Sequence, residues 1–333
     1  MASHLIIGIS GQDGSYLAAD LLADGHDVVG TSRSEQHRHL PNLVRLGIAG
    51  RVDVTRCEAD DATTIGALIE KHDIRRVYLL AGQSSVGVSF AKPVATHHGI
   101  VTPTLQILEL LRTRFPETRL LYAGSGEVFD AHDGLPFTER SKHSPKSPYA
   151  AAKSAAMCLV DTYRSAYGVF AGTAILFNHE SPLRPANFVI PKITDAAARM
   201  ADGSAEILPL GNVDVVRDWG WAPDYVQGMR RIIEHSRPDD FVVATGESHS
   251  IREIIELVGR HFGLNLAERC HTTSSLMRPF DSPVVTADPT KARIELGWSA
   301  TVRFPELIRR LCESRMSAGA GHNGEENASR GSS

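Results

Sequence analysis

Residues 5–25 read LIIGISGQDGSYLAADLLADG, and this stretch restricts the possible folds more than any other in the chain. LIIGI (5–9) is short and apolar, as a buried strand must be, while SYLAADLLADG (15–25) carries apolar residues at helical spacing and ends on a glycine. Gly8, Gly11 and Gly14 fill the turn between them. A strand that passes straight into a helix through glycines lets backbone N–H groups and the positive end of the helix dipole close on an anion. Glycines at this spacing also serve ordinary tight turns. Their place at the head of a repeating strand–helix pattern favours the pyrophosphate of a dinucleotide.

The pattern does repeat. HDVVGTS (26–32), VTRCEAD (54–60), RRVYLLAG (75–82), TRLLYAG (118–124) and FAGTAILF (170–177) read as strands. ATTIGALIEKH (62–72), TPTLQILELLRTR (102–114) and AAAKSAAMCLVDTYRSAYG (150–168) carry the helical spacing between them. This alternation predicts an α/β fold of Rossmann type, a doubly wound parallel sheet over residues 1–178 with helices on both faces. After residue 178 the rhythm breaks at NHESPLRPANFVIP, which is loop-like. Shorter pieces follow: EILPLGN (206–212), RDWGWAPDYVQGMRRIIEH (217–235) and FVVATGE (241–247). They predict a smaller mixed α/β C-terminal lobe over 179–316, with pieces between about 210 and 250 returning to the first sheet. The Gly/Ser/Asn-rich tail, 317–333, reads as disordered.

Bulk properties narrow the function class. A net charge of -4 with no Lys/Arg-rich block gives no footing for nucleic acid or a membrane surface, and no apolar run approaches spanning length. Cys57, Cys158, Cys270 and Cys312 lie far apart without a CxxC pair, and the N-terminus lacks the features of a secretory peptide, so the expectation is a cytoplasmic protein with reduced thiols. The histidines of QHRH and the pair His97-His98 lack carboxylate or cysteine companions, and no metal is expected.

The chemistry gathers in two stretches. Tyr149 and Lys153 stand i, i+4 at the start of a helix and so share a face. An ammonium beside a phenol favours the phenolate, which makes Tyr149 a base for a sugar or alcohol hydroxyl that Ser125 can hold. Glu127 is surplus to a plain alcohol oxidation; a carboxylate there can remove a proton next to a new ketone and return it to a leaving hydroxyl. At the end of the second strand, Gly30-Thr31-Ser32-Arg33 offers a guanidinium and no acid, which suits a 2′-phosphate and favours NADP, with NAD as the alternative. Asp60 is placed to accept from an adenine amine, while Asp60 or Asp61 could equally cap the helix that follows.

With these residues in place the chain resembles the extended short-chain dehydrogenase/reductase family and, within it, the GDP-mannose 4,6-dehydratases. The similarity runs from about residue 5 to 298 through GISGQDGSYLA (8–18), AGQSSVGVSF (81–90), SGEVF (125–129), SPYAAAK (147–153), ILFNHESPLRPANFV (175–189), LGNVDVVRDWG (210–220) and DPTKARIELGW (288–298). The resemblance implies a cofactor-bound Rossmann domain and a nucleotide-sugar lobe. It places Ser125 where the family has threonine, Glu127 as acid/base, and Tyr149 with Lys153 as the oxidation pair. It puts Gly8, Gly11, Gln12, Asp13, Gly14, Arg33, Asp60, Asp61, Leu80, Ala81, Gln83, Ser84, His179 and Arg184 at the cofactor. Ser85, Asn178, Asn187, Lys192, Arg217 and Arg278 fall near the sugar nucleotide, a GDP-hexose and first of all GDP-mannose. Keto-sugar reductases and epimerases of the same scaffold are the alternative. The chain departs from the family at Ser85, Ala95, Phe129-Asp130 and Pro185. Family members pair through the helix at 150–168, here apolar at Ala155, Ala156, Leu159 and Val160, so the resemblance implies a homodimer. A shortened loop at 35–46 favours that dimer over the family's tetramer.

Overall fold

The computed structural model describes residues 3–33, 40–130 and 136–326, the side chains of 317–326 excepted. Seven strands form one parallel sheet: β1 (Ser3–Ile7), β2 (Asp27–Ser32), β3 (Asp53–Arg56), β4 (Ile74–Leu79), β5 (Arg119–Ala123), β6 (Ala171–Leu176) and β10 (Asp240–Val243). Their order is β10-β6-β5-β4-β1-β2-β3. Side chains alternate across each strand, and both faces are covered. Leu5, Ile7, Leu79, Leu120 and Tyr122 enter one core together with Ile107, Leu111, Ala156 and Val160. Their neighbours Ile6, Tyr78 and Leu121 enter a second core with Leu17, Leu21, Met229 and Trp298. The period-two pattern of apolar strands thus builds two layers of helix around one sheet.

The first layer holds α3 (Ala62–Lys71), α5 (Pro93–Arg114) and α6 (Pro148–Tyr167), with the short α4 (Val86–Ala91) ahead of α5. Helix α5 starts nine residues earlier than its apolar spacing suggests and runs through Pro103. The second layer holds α1 (Gln12–Ala23), α2 (Pro41–Arg45) and α8 (Ala222–Glu234). Helix α8 packs on α1, and β10 extends the sheet beside β6, so part of the later sequence does return to the first sheet.

The remainder is a second lobe with its own core of Ile190, Ile193, Leu208, Trp219, Ile254 and Leu307. There β7 (Asn178–Glu180), β11 (Ser248–Ser250) and β13 (Val284–Val285) all pair with β9 (Val216–Trp221), and β8 (Leu208–Leu210) pairs with β12 (Cys270–Thr272). Helices α7 (Val189–Ala201), α9 (Ile251–Phe262) and α11 (Phe304–Glu326) complete it, while α10 (Thr290–Leu296) lies against β10 and α8 on the first sheet. Asn178–Glu180, read from sequence as loop, is a strand because β9 supplies its partner. Helix α11 is continuous past Ser317, where composition placed the start of a disordered tail, and residues 327–333 lie outside the described residues. Ala156 and Val160, expected on a dimer face, are fully buried in the core of the protomer; only Ala155 and Leu159 of that set stay half-buried.

The C-terminal ends of β1, β4, β5 and β6 open on the same side, between the strands where the chain order reverses. That is where an open α/β sheet leaves its crevice.

Candidate active site

The turn after β1 shows why its glycines are needed. Gly8 has φ +96°, and a Cβ there would sit 2.8 Å from the Ala81 nitrogen. At Gly14 a Cβ would lie 2.4 Å from the Gly8 carbonyl oxygen. Gly11 differs: it is the N-cap of α1 with φ -72°, and a Cβ would meet nothing nearer than that oxygen at 3.4 Å. No side chain caps α1, so its first N–H groups lack an intrahelical or capping acceptor. Backbone space at Gly11 and an uncapped helix start fit a dinucleotide pyrophosphate. Gln12 is buried; its amide donates to the His179 carbonyl at 3.3 Å and accepts from Ser181 Oγ at 2.8 Å, so it ties α1 to β7 rather than facing the cleft.

Half-buried Asp13 pairs with buried His179, whose Nε2 lies 3.0 Å from both carboxylate oxygens. Burial opposes the charge on Asp13, but the adjacent imidazole and the Gln12 amide hold its carboxyl down at about 2. Burial also opposes charge on His179, and Asp13 overcomes it to raise the ring. His179 Nδ1 faces the Phe177 carbonyl at 2.7 Å, an acceptor only, so both ring nitrogens are donors. Nearby Arg184 stacks 3.7 Å over the Phe188 ring, and its Nε lies 3.5 Å from Glu180 Oε1. Arg184 Nε and Glu180 Oε2 are buried without hydrogen-bond partners, which leaves polar groups on the cleft wall for a ligand to satisfy.

Ser147 caps α6, its Oγ accepting from Ala150 N at 3.1 Å, with Pro148 opening the helix. This fixes Tyr149 in the first turn and Lys153 one turn on. Lys153 Nζ donates to the Ala123 carbonyl at 2.8 Å and lies 5.9 Å from the Tyr149 ring centre. Ser125, at the end of β5, accepts from Glu127 N at 3.3 Å and lines the cleft with Tyr149, whose phenol it pulls down. Burial pushes the Tyr149 phenol up to about 12, against the pull of Ser125, and pushes the Lys153 amine down to about 8. The i, i+4 pair is in place, and in the chain alone burial is the larger influence on the phenol. The desolvation of the phenolate outweighs an amine that is spent on Ala123.

One cleft of about 440 Å³ gathers the proposed chemistry. Ser125, Glu127, Tyr149 and Lys153 line it, together with Asp13, Leu80, Ala81, Gln83, Ser84, His179 and Arg184. Ser85, Asn178, Asn187, Lys192, Arg217 and Arg278 line the same cleft. Several are already engaged: Ser85 caps α4, Gln83 accepts from Ser85 N, and Lys192 Nζ donates to the Pro209 carbonyl at 2.6 Å. Arg217 is buried against Asp281 and Ser282. Seven residues expected at a cofactor do not line this cleft: Gly8, Gly11, Gln12 and Gly14 of the turn into α1, and Arg33, Asp60 and Asp61. Arg33 is exposed just after β2. Asp61 is a helix cap, both of its oxygens taken by Thr64 at 3.0 and 2.6 Å, because the chain turns into α3 there; Asp60 sits in the preceding turn.

Sequence reading passed over Asp281, which binds both Arg217 and Arg278, and Glu180. Asp281 could have been noticed from its i, i+3 spacing to Arg278 in RPFDSP. The departure at Asp130 also has a structural use: it is buried, accepts from Ser282 Oγ at 2.6 Å and faces Lys146 at 3.5 Å. Among the described residues, no helix is long and apolar enough to cross a membrane, and no group of three or more His, Cys, Asp or Glu could hold a metal.

The family model for GDP-mannose 4,6 dehydratase matches residues 5–311. GDP-mannose 4,6 dehydratase of Homo sapiens is 36% identical over 334 residues, covering 92% of this chain and 89% of its own. The GDP-mannose 4,6-dehydratase of Sinorhizobium fredii is 36% identical over 344 residues, covering 94% and 96%. Among solved structures, the dTDP-glucose 4,6-dehydratase DesIV of Streptomyces venezuelae, with NAD bound, shares the fold at a TM-score of 0.85 and 21% identity over 96% of this chain and 98% of that one. RMD of Pseudomonas aeruginosa, complexed with NADPH, superposes at 0.78 with 25% identity over 96% and 100%. The chain belongs to the GDP-mannose 4,6-dehydratase family of extended short-chain dehydrogenases/reductases.

Proposed function

We propose that this chain is a hydro-lyase that converts GDP-mannose to GDP-4-keto-6-deoxymannose, losing one water with no net consumption of NADP. The observation that carries this is the meeting of Ser125, Glu127, Tyr149 and Lys153 in one cleft. Three of them suffice for an alcohol oxidation; the carboxylate adds elimination. A nicotinamide dinucleotide held in this cleft would supply a positively charged ring able to take hydride from sugar C4 and return it at C6. Its pyrophosphate fits the uncapped start of α1, while Arg184 and the Asp13–His179 pair would hold it along the cleft. Arg33, at the end of β2 with no acid beside it, supports NADP over NAD.

Ser125 holds the 4-hydroxyl and Tyr149 takes its proton, leaving a C4 ketone. Lys153, through its charge, favours the phenolate against the burial that otherwise suppresses it. The ketone acidifies the C5 hydrogen, which Glu127 removes as a proton and delivers to the 6-hydroxyl, which departs as water. A solvent-exchangeable proton then returns to C5. Lys192 and Arg278 supply positive charge toward the second lobe for the substrate diphosphate.

The test is GDP-mannose in deuterated water with Tyr149→Phe and Glu127→Gln, reading deuterium at C5, product mass and reduced-nicotinamide absorbance. Wild type should lose one water and take up C5 deuterium without added reductant. Tyr149→Phe should stop both reduction of the cofactor and exchange. Glu127→Gln should keep the first oxidation and slow elimination ~10²–10⁴-fold. Stoichiometric consumption of NADPH by a keto sugar, with no water lost from GDP-mannose, would point to a reductase and sink the proposal.

A further inference from the structure

Glu127 and Tyr149 sit at the two ends of an excursion that leaves the sheet after β5 and returns at the start of α6. Its neck is closed by contacts from one end to the other. Ser144 N donates to the Val128 carbonyl at 2.8 Å, and the rings of Phe129 and His143 meet edge-on with centres 5.7 Å apart. His143 in turn sets Nδ1 2.9 Å from Ser154 Oγ on α6. Asp130 completes the neck. It lies three residues after Glu127, is 1% exposed, and turns Oδ2 toward the Nζ of Lys146 at 3.5 Å, three residues before Tyr149. Its Oδ1 accepts from Ser282 Oγ at 2.6 Å. Further along, Phe137 N donates to the Thr286 carbonyl and the Phe137 carbonyl accepts from Asp288 N, both at 2.8 Å. Residues 282–288 of the second lobe are thus seated on the excursion. A carboxylate taken out of water needs such partners to remain charged. The chain departs from its family at Phe129-Asp130, so this clamp belongs to this chain.

We infer that Asp130 is a positioning residue: paired with Lys146 it fixes the spacing of Glu127 and Tyr149, and through Ser282 it seats the second lobe against them. The inference rests on Glu127 and Tyr149 acting on one sugar, as in the dehydratase proposed above. Oxidation at C4 needs Tyr149 aligned with the 4-hydroxyl. Removal of the C5 proton needs Glu127 at the neighbouring carbon of the same ring, so the two groups must hold their separation closely for both steps to run on one bound substrate. An excursion with an open neck would let its ends drift apart. Asp130 acts on the reacting groups through the backbone on either side of that neck.

Asp130→Asn keeps the shape and an acceptor for Ser282 while removing the charge that Lys146 faces. Lys146→Met keeps the aliphatic stem and removes the ammonium. Each should lower the turnover of GDP-mannose about tenfold and change KM less. Affinity for NADP, read by titration, should stay at the wild-type value. In deuterated water, entry of deuterium at C5 should slow more than reduction of the cofactor, because only the second step needs both groups in register. The double variant should be no slower than the worse single one, since both break the same link. Lys146→Met takes a cation from a buried carboxylate and should melt lower; Asp130→Asn does not, and carries the test if Lys146→Met fails to fold. Normal turnover in Asp130→Asn would overturn the inference, as would losses that multiply in the double variant. A fall in NADP affinity and melting temperature that matches the fall in turnover would make Asp130 structural only, and overturn it too. A wild-type enzyme that neither exchanges C5 nor loses water overturns the dehydratase reading, and this inference with it.

Discussion

Two glycines three residues apart should fail in opposite ways. A Cβ at Gly14 would lie 2.4 Å from Gly8 O and 2.7 Å from Ile9 Cα. Both are backbone atoms, and neither can swing aside as the end of a side chain could. Restoring ordinary contact needs a shift of about 1 Å between β1 and α1, in a turn held by Gly11 N on Gly8 O at 3.1 Å and Ser15 Oγ on Ile9 O at 2.9 Å. Overpacking of this kind costs about 1–3 kcal/mol, or roughly 2–4 °C in Tm for each kcal/mol in a chain of this size. Gly14→Ala should therefore melt several degrees lower without any ligand. At Gly11 the only neighbour of a Cβ is that same oxygen at 3.4 Å, and the N-cap φ of -72° suits any residue. Gly11→Ala should melt within about 0.5 kcal/mol of wild type. Its methyl instead fills the space into which a pyrophosphate must come, so NADP affinity should drop about tenfold or more, and the upward shift of Tm with NADP should shrink with it. Thermal melts with and without NADP, backed by binding titrations, separate the two effects. Gly14→Ala melting like wild type, or Gly11→Ala binding NADP normally, would refute the steric reasoning.

Further outcomes follow from other parts of the molecule. Arg33→Ala should weaken NADP about tenfold and leave NAD unchanged in parallel titrations, as loss of one charged hydrogen bond predicts; equal losses for both would remove Arg33 from the 2′-phosphate. His4 is buried with both ring nitrogens lacking hydrogen-bond partners, and burial first, then the positive charges of His26, Arg76 and Arg230, lowers it to about 3. An unfolded chain binds a proton there below about 6.5, while the native fold resists until about 3, so stability is fully present above the first value and is lost as pH falls through that window. His4→Phe, which keeps the ring stacked near Tyr78, should flatten the loss of urea stability by at most about 3 kcal/mol at pH 4; an unchanged pH dependence would remove His4 as its source. Light scattering should give a homodimer built on α5 and α6, where Leu105 is 41% exposed and Leu159 half-buried, and Leu105→Arg with Leu159→Arg should yield monomers. A wild-type monomer at micromolar concentration would end that reading.

What the sequence by itself determined is whatever depends on spacing within a short stretch. Short continuous apolar runs such as LIIGI and RRVYLLAG, alternating with helical stretches, read as strands covered on both faces, and the glycine turn and the i, i+4 pair Tyr149–Lys153 follow from local geometry. Tertiary structure decided what depends on neighbours distant in the chain. Asn178–Glu180 is a strand because β9, some forty residues later, pairs with it. Ala156 and Val160 turned inward because α5 and the sheet occupy that side of α6. Asp61 rather than Asp60 became the cap of α3, a choice made by one turn of backbone. Lys153 donates to the Ala123 carbonyl, thirty residues earlier in the chain, and burial works against the charged form of both Lys153 and Tyr149. The grip of Asp281 on Arg217 joins residues sixty-four positions apart, and no local pattern carries that information. Periodicity encodes which face of an element is apolar; which charged groups meet across the cleft is set only when the two lobes close on each other.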